Sequence, residues 1–192
     1  MRKTVLTLGG LDLGIDQKIN YMRRVCRGFA VADGRVQVQV SYPATLDPSG
    51  DSPTGSIQVG ASRLDAAIRA TAGQKIVFGY SQGAQVCGAW MRRFAHKPGA
   101  PSPDELTFLL IGNPEREFGH PPWVKRTTPN YTQYRVRDVA RRDDGWCNWD
   151  GSLRRKVGML GAVHLQYWQT DPYGSEVEVV NVVGGTTYVV AP

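Results

Sequence analysis

The sequence predicts an α/β fold, with a mostly parallel central sheet flanked by helices and a β-hairpin at the C-terminal end. Three observations predict it. Strand-like and helix-like segments alternate through most of the 192 residues, the pattern that builds parallel sheets with helices on both faces. Residues 75–78 and 106–111 are short apolar runs of strand length, as expected of strands covered on both sides. The composition, 41% hydrophobic and 21% charged, is globular, and the length suits one domain with its own core. The whole chain, 1–192, is therefore expected to form a single domain, with residues 175–192 as a hairpin extension.

Each element follows from local pattern. Residues 3–8 read as a first strand stopped by Gly9-Gly10, and residues 16–29 carry helical spacing through Ile19, Met22, Val25, Cys26 and Phe29. Val36, Val38 and Val40 alternate along a second strand at 35–41, and a loop rich in Pro, Ser and Gly follows at 43–55. A helix is expected over 56–71, a strand over 75–78 and a helix over 82–94. The run 106–111 stops at Gly112-Asn113-Pro114, residues 131–137 alternate as a further strand, and 153–163 is weakly helical. Two β-rich runs, 176–183 and 186–190, joined by Gly184-Gly185, read as the hairpin.

Composition excludes several classes. No apolar run approaches the roughly 20 residues that cross a bilayer, so no transmembrane segment is expected. The basic start Met1-Arg2-Lys3 leads into an apolar stretch too short for a signal peptide. The net charge of +6 suits anionic partners. Its basic residues are scattered, however, and no nucleic-acid motif accompanies them, so nucleic acid is not an expected partner. Cys26, Cys87 and Cys147 are an odd number without metal-ligand spacing; free thiols, no metal and no cofactor are expected.

Ligands of parallel sheets bind beyond the carboxyl ends of the strands, which directs attention to Gly9-Gly10, Gly112-Asn113 and the turn after residue 78. That turn reads Gly79-Tyr80-Ser81-Gln82-Gly83. A bare G-x-S-x-G is common, but here an apolar run enters it and a helical pattern leaves it. This is the strand–turn–helix setting of the nucleophile elbow in the α/β-hydrolase fold. Side chains two residues either side of Ser81 would collide in so sharp a turn, hence the glycines. Ser81 is then the candidate nucleophile at a helix N-terminus, where developing negative charge is favoured. The backbone N–H of Gln82 is one candidate oxyanion donor, and those of Gly10 or Leu11, after the first strand, are candidates for the second.

In that fold the base is a His that follows the acid, which itself follows a later strand. Of the three histidines, His96 ends the helix after the elbow and His120 precedes the strand at 131–137, leaving His164. Between that strand and His164 lie Asp138, Asp143, Asp144 and Asp150. Asp138 falls within reach of the strand itself, and Asp150 suits a helix cap. Asp143 and Asp144, in a loop with Gly145, both remain open as the acid. Trp123, Trp146, Trp149 and Trp168 fall in the same half of the chain, and read either as a rim to the cleft or as ordinary packing.

The string Gly79-Tyr80-Ser81-Gln82-Gly83-Ala84 resembles the nucleophile motif of cutinase-like serine esterases, including the lysin B proteins of mycobacteriophages and the PE-PPE-domain hydrolases. Ile111-Gly112-Asn113-Pro114-Glu115-Arg116 is similar to a segment of those hydrolases, and Asp144-Gly145-Trp146 to the Asp-Gly-Trp that carries the acid in the PE-PPE group. The resemblance thus implies a minimal α/β-hydrolase with the triad Ser81, Asp144 and His164. It also implies no metal and an acyl-ester substrate of lipidic kind, such as the mycolyl-arabinogalactan ester of the mycobacterial envelope. The chain is shorter than lysin B proteins and lacks the paired cysteines of secreted cutinases. It also lacks the N-terminal region of PE-PPE proteins. These departures lead to the expectation of a phage protein made in the host cytoplasm, acting at the envelope after lysis or as a virion component beside other virion proteins. The rival expectation is a virion tail or envelope-binding protein that keeps the fold without efficient catalysis. A thioesterase or acyltransferase would use the same three side chains.

Overall fold

The architecture was obtained as a computed structural model, which describes residues 3–12, 20–47, 50–160 and 162–192. Among the described residues, seven strands form one sheet: β1 (Thr4–Leu8), β2 (Val36–Gln39), β3 (Lys75–Tyr80), β4 (Leu106–Ile111), β5 (Arg135–Arg141), β6 (Glu178–Val183) and β7 (Thr186–Ala191). Their order is β2-β1-β3-β4-β5-β7-β6; every neighbouring pair is parallel except β6–β7. The helices are α1 (Tyr21–Gly28), α2 (Ser56–Ala70), α3 (Gln82–Phe94) and α4 (Leu153–Leu160), and a 3-10 turn follows α4 at Ala162–Leu165. This is the α/β-hydrolase architecture, a mostly parallel sheet with a β-hairpin at its end.

The sheet buries both faces. Along β4, Phe108 and Leu110 join Leu64, Trp90 and Tyr134 on the side covered by α2 and α3. Leu109 and Ile111, offset by one residue, join Phe78, Tyr80 and Tyr167 on the other. An apolar run without alternation is what two-sided burial requires. Helices α2 and α3 approach closely because Gly60 carries no side chain; a Cβ there would stand 2.7 Å from Val86 Cγ2. The second strand of the hairpin is integral to the sheet: Tyr188 and Val189 are buried, and β7 lies parallel to β5.

Three elements differ from the pattern-based expectation. The expected helix over 16–29 has its start, residues 16–19, outside the described residues. Within Tyr21–Gly28 only the first turn keeps helical angles, since Val25 is extended and Cys26 and Arg27 have φ of 54° and 55°. The amides of Cys26 and Arg27 instead donate to the carbonyls of Tyr167 and Trp168, at 2.9 Å each, so a tertiary contact overrides local periodicity. The strand expected at 131–137 lies at Arg135–Arg141. The alternation of Tyr131-Thr132-Gln133-Tyr134 belongs to its lead-in, where the Tyr134 hydroxyl donates to the Pro101 carbonyl at 2.9 Å. The helix expected over 153–163 ends at Leu160, and residue 161 lies outside the described residues.

The shift in β5 places a charge in the sheet. Asp138 and Arg116 are fully buried and paired at 2.7 Å. Arg116 also donates to the carbonyls of Phe118 and Val189, and the Asn113 amide donates to Asp138 Oδ2 at 2.7 Å. Burial pushes the Asp138 carboxyl up, while Arg116 and Asn113 pull it back. The Arg116 guanidinium, charged in proteins and 2.7 Å from that carboxyl, makes the pair a buried strut joining β5, β7 and the loop after β4.

Candidate active site

The sequence-distant candidates meet at the carboxyl edge of the sheet. β3 ends at Tyr80, and Ser81 turns the chain into α3 with φ 54° and ψ −120°, a conformation that costs a non-glycine residue on the order of 1–3 kcal/mol. The flanking glycines make that turn possible. A Cβ on Gly79 would stand 2.8 Å from both Cys87 Sγ and the Gly83 carbonyl oxygen, and one on Gly83 would stand 2.3 Å from the Leu8 carbonyl oxygen. The half-buried Ser81 hydroxyl lies 2.8 Å from His164 Nε2.

His164 sits in the 3-10 turn after α4 and is fixed on several sides. Its carbonyl accepts from the Tyr80 hydroxyl at 2.9 Å. Its ring lies over Gly112, where any Cβ would stand 2.9 Å from His164 Cε1. The Trp146 indole approaches to 6.2 Å between ring centroids. His164 Nδ1 is 2.8 Å from Asp144 Oδ2. A carboxylate only accepts hydrogen bonds, so Nδ1 carries the proton and Nε2 is left to accept from Ser81.

Asp144 is fully buried, and its carboxylate is satisfied throughout. Oδ1 accepts from the Trp146 amide at 3.0 Å, and Oδ2 accepts from His164 and from the Tyr167 hydroxyl, 2.8 Å away. Burial alone would raise this carboxyl; the His164 ring and the bonds from His164 and Tyr167 outweigh it and hold it below the usual carboxylate range. The neighbouring Asp143 points elsewhere, pairing with Arg154 at 2.6 Å and Arg155 at 3.0 Å. Geometry thus separates the two acids that the residues alone left open. Asp150 accepts from the Ser152 amide at the start of α4. His96 stacks on Tyr131, and His120 bonds the Arg116 carbonyl.

Of the candidate oxyanion donors, Gln82 is the first residue of α3, so its amide is among the N–H groups that a helix leaves without an internal partner. Its side chain anchors the neighbourhood, donating to the Thr45 carbonyl at 2.8 Å and accepting from Ser56. Gly10 is buried beside the serine, with a Cβ position 3.2 Å from Ser81 Cβ, so the loop after β1 passes directly against the elbow. Leu11, next in that loop, is half-buried.

Two supporting residues were missed from the sequence. Tyr167 is fully buried; its hydroxyl donates to Asp144 and accepts from the Arg141 amide at 3.0 Å. Its position three residues after His164 was the available signal. Gly112 makes room for the imidazole, which gives the Gly-Asn-Pro segment a physical meaning. Of the tryptophans, Trp146 approaches the imidazole. Trp123 packs on Trp149 and Trp168 on Tyr21. The three cysteines are free and buried, and burial followed by the charge of Asp144 pushes the Cys147 thiol well up. Among the described residues no three His, Cys, Asp or Glu side chains gather as a metal site needs, and no helix is long and apolar enough to cross a membrane.

The fold and this hydrogen-bonded line define a chain of the α/β-hydrolase class. A PE-PPE domain model matches residues 33–148, more than half of the 192 residues, and the chain belongs to that family. Two relatives from Mycobacterium tuberculosis are similar to it. The SL1278 acyltransferase Chp1 is 41% identical over 101 residues, covering 47% of this chain and 25% of that protein. Esterase PE16 is 44% identical over 86 residues, covering 40% of this chain and 16% of that protein. The chain thus matches a quarter or less of the length of these relatives. Among solved structures, a cutinase-like protein from Cryptococcus sp. shares the fold with a TM-score of 0.56 at 16% identity, over 90% of this chain and 87% of that one. Lysin B from Mycobacteriophage D29 shares it with a TM-score of 0.53 at 20% identity, over 78% of this chain and 68% of that one.

Proposed function

We propose that the chain is a serine hydrolase of carboxylic esters in which Ser81 is the nucleophile, His164 the general base and Asp144 the acid that orients it. The observation that carries this reading is the continuous hydrogen-bonded line Ser81 Oγ–His164 Nε2 and His164 Nδ1–Asp144 Oδ2, each step 2.8 Å. In the reaction, Ser81 Oγ attacks the ester carbonyl while its proton passes to Nε2. The negative charge that forms on the carbonyl oxygen is held by the amide of Gln82 and that of Gly10 or Leu11. Collapse returns the proton to the departing alcohol, leaving an acyl-serine, and water activated by His164 then releases the acid. Asp144 remains ionised and stabilises the imidazolium.

For the substrate we propose an acyl ester of the mycobacterial envelope lipids, of the mycolyl-arabinogalactan kind, with the protein acting at the envelope as a phage product. The acyltransferase and the esterase among the Mycobacterium tuberculosis relatives support an acyl substrate. Incubation with purified mycolyl-arabinogalactan should release free mycolic acids. The basic test of the enzyme is simpler: Ser81→Ala should lower hydrolysis of a short-chain p-nitrophenyl ester by at least about 10⁴-fold, and unchanged turnover would refute the assignment. The acyltransferase relative favours a second fate for the acyl-serine, transfer to an alcohol in place of water. Product analysis with added trehalose or glycerol separates the two, since transfer yields a new ester whereas hydrolysis yields only acid.

A further inference from the structure

Helix α4 is turned inside out. At 100° per residue, Leu153, Val157 and Leu160 fall on one stripe about 60° wide, and they are 76%, 58% and 92% exposed. The inward side is made of Arg155, Gly158 and Met159. Arg155 pairs with Asp143, a Cβ on Gly158 would stand 1.9 Å from the Asp143 carbonyl oxygen, and the Met159 carbonyl accepts the Trp146 indole N–H at 3.1 Å. A surface helix normally hides its apolar stripe; this one presents it. Leu165, on the same 3-10 turn as His164, adds further exposed apolar surface at 45%. Through Trp146, the indole that touches α4 also approaches the His164 ring.

We propose that α4 and Leu165 form a docking surface for an anionic lipid layer, which presents an ester-bearing molecule beside Ser81. Charge selects this occupant. Residues 151–170 contain no acidic side chain, and Arg154 and Lys156 flank the apolar stripe, Lys156 with no ion-pair partner among the described residues. Leucines bordered by basic residues are the pattern of a helix that lies at the boundary of headgroups and acyl chains. A second copy packed on the same stripe would set these cations against their own kind. The proposal deepens the esterase reading and rests on it for the purpose of the surface, but binding can be measured without turnover.

The test uses the 192-residue chain with Ser81→Ala, sedimented with vesicles of phosphatidylglycerol and phosphatidylcholine, beside the same chain carrying Leu153→Ser and Leu160→Ser. Because both leucines face solvent, the substitutions should leave folding intact. The expected result is binding that weakens with salt and with phosphatidylcholine alone. The double substitution should weaken it by about tenfold or more, yet leave short-chain ester hydrolysis unchanged when Ser81 is present. Equal partition of both chains, absence of vesicle binding, or a concentration-dependent dimer abolished by the same substitutions would overturn the proposal. Vesicle binding that depends on the leucines in a protein without ester turnover would remove the esterase reading and leave the docking surface standing.

Discussion

At the scale of single residues, the site is a chain of proton donors and acceptors in which each member fixes the next. Tyr167 is the least obvious link. Its hydroxyl holds the same Asp144 oxygen that receives the imidazole proton, so it orients the acid without meeting the substrate. Tyr167→Phe keeps the ring and removes that bond. Losing a hydrogen bond to a charged group costs about 1.5–3 kcal/mol, so kcat should fall roughly tenfold or more while KM stays near its natural value. Steady-state kinetics on a soluble ester measure this, and a rise in KM at unchanged kcat would assign Tyr167 to substrate binding instead. Ser81 and Gln82 were legible in the sequence because the steric demand of the elbow writes itself as Gly79 and Gly83. His164 followed from chain order. Asp144 needed the family resemblance, because Asp143 beside it is chemically identical and only the fold sends one inward and the other to Arg154 and Arg155. Tyr167 left no comparable trace, since its partners Arg141 and Asp144 are distant in sequence and its role depends on where β5 ends.

At the scale of elements, strands β1, β3 and β4 were legible because two-sided burial leaves short, mainly apolar runs. β5 was misplaced by four residues: its half Asp138-Val139-Ala140-Arg141 carries charges that read as loop, and the aromatic alternation before it reads as strand. Asp138 belongs in a strand only because Arg116 reaches it from the loop after β4. That dependence is testable. Asp138→Asn leaves a buried guanidinium without its counter-charge, a loss of about 3–5 kcal/mol, which urea unfolding should register. A change below about 1 kcal/mol would mean that the strut contributes little and that β5 is held by apolar packing. Helix α1 forms within the expected span but loses helical angles from Val25, because the amides of Cys26 and Arg27 found partners in the segment after His164 that no local pattern reveals.

At the scale of the whole molecule, the sheet gathers groups 83 and 20 residues apart into one line, and the stability of the fold is coupled to the ionisation of Asp144. Asp144 titrates below the usual carboxylate range in the folded chain. Its contribution is therefore present above its unfolded value of about 3.9 and is lost as pH falls through the lower folded value. The stability gap between the natural chain and Asp144→Asn should stay open down to about pH 4 and close below it, as thermal unfolding across pH would show; a gap that persists undiminished at pH 2 would argue that the carboxylate charge is not what Asp144 contributes. The central claim, that this fold activates one serine through one imidazole, is tested most directly by the rate at which a fluorophosphonate probe labels the protein, with the modified residue mapped by mass spectrometry. The account predicts rapid, single-site labelling at Ser81 that His164→Gln slows by about a thousandfold or more. Labelling at another residue, or at Ser81 with a rate indifferent to His164, would contradict it.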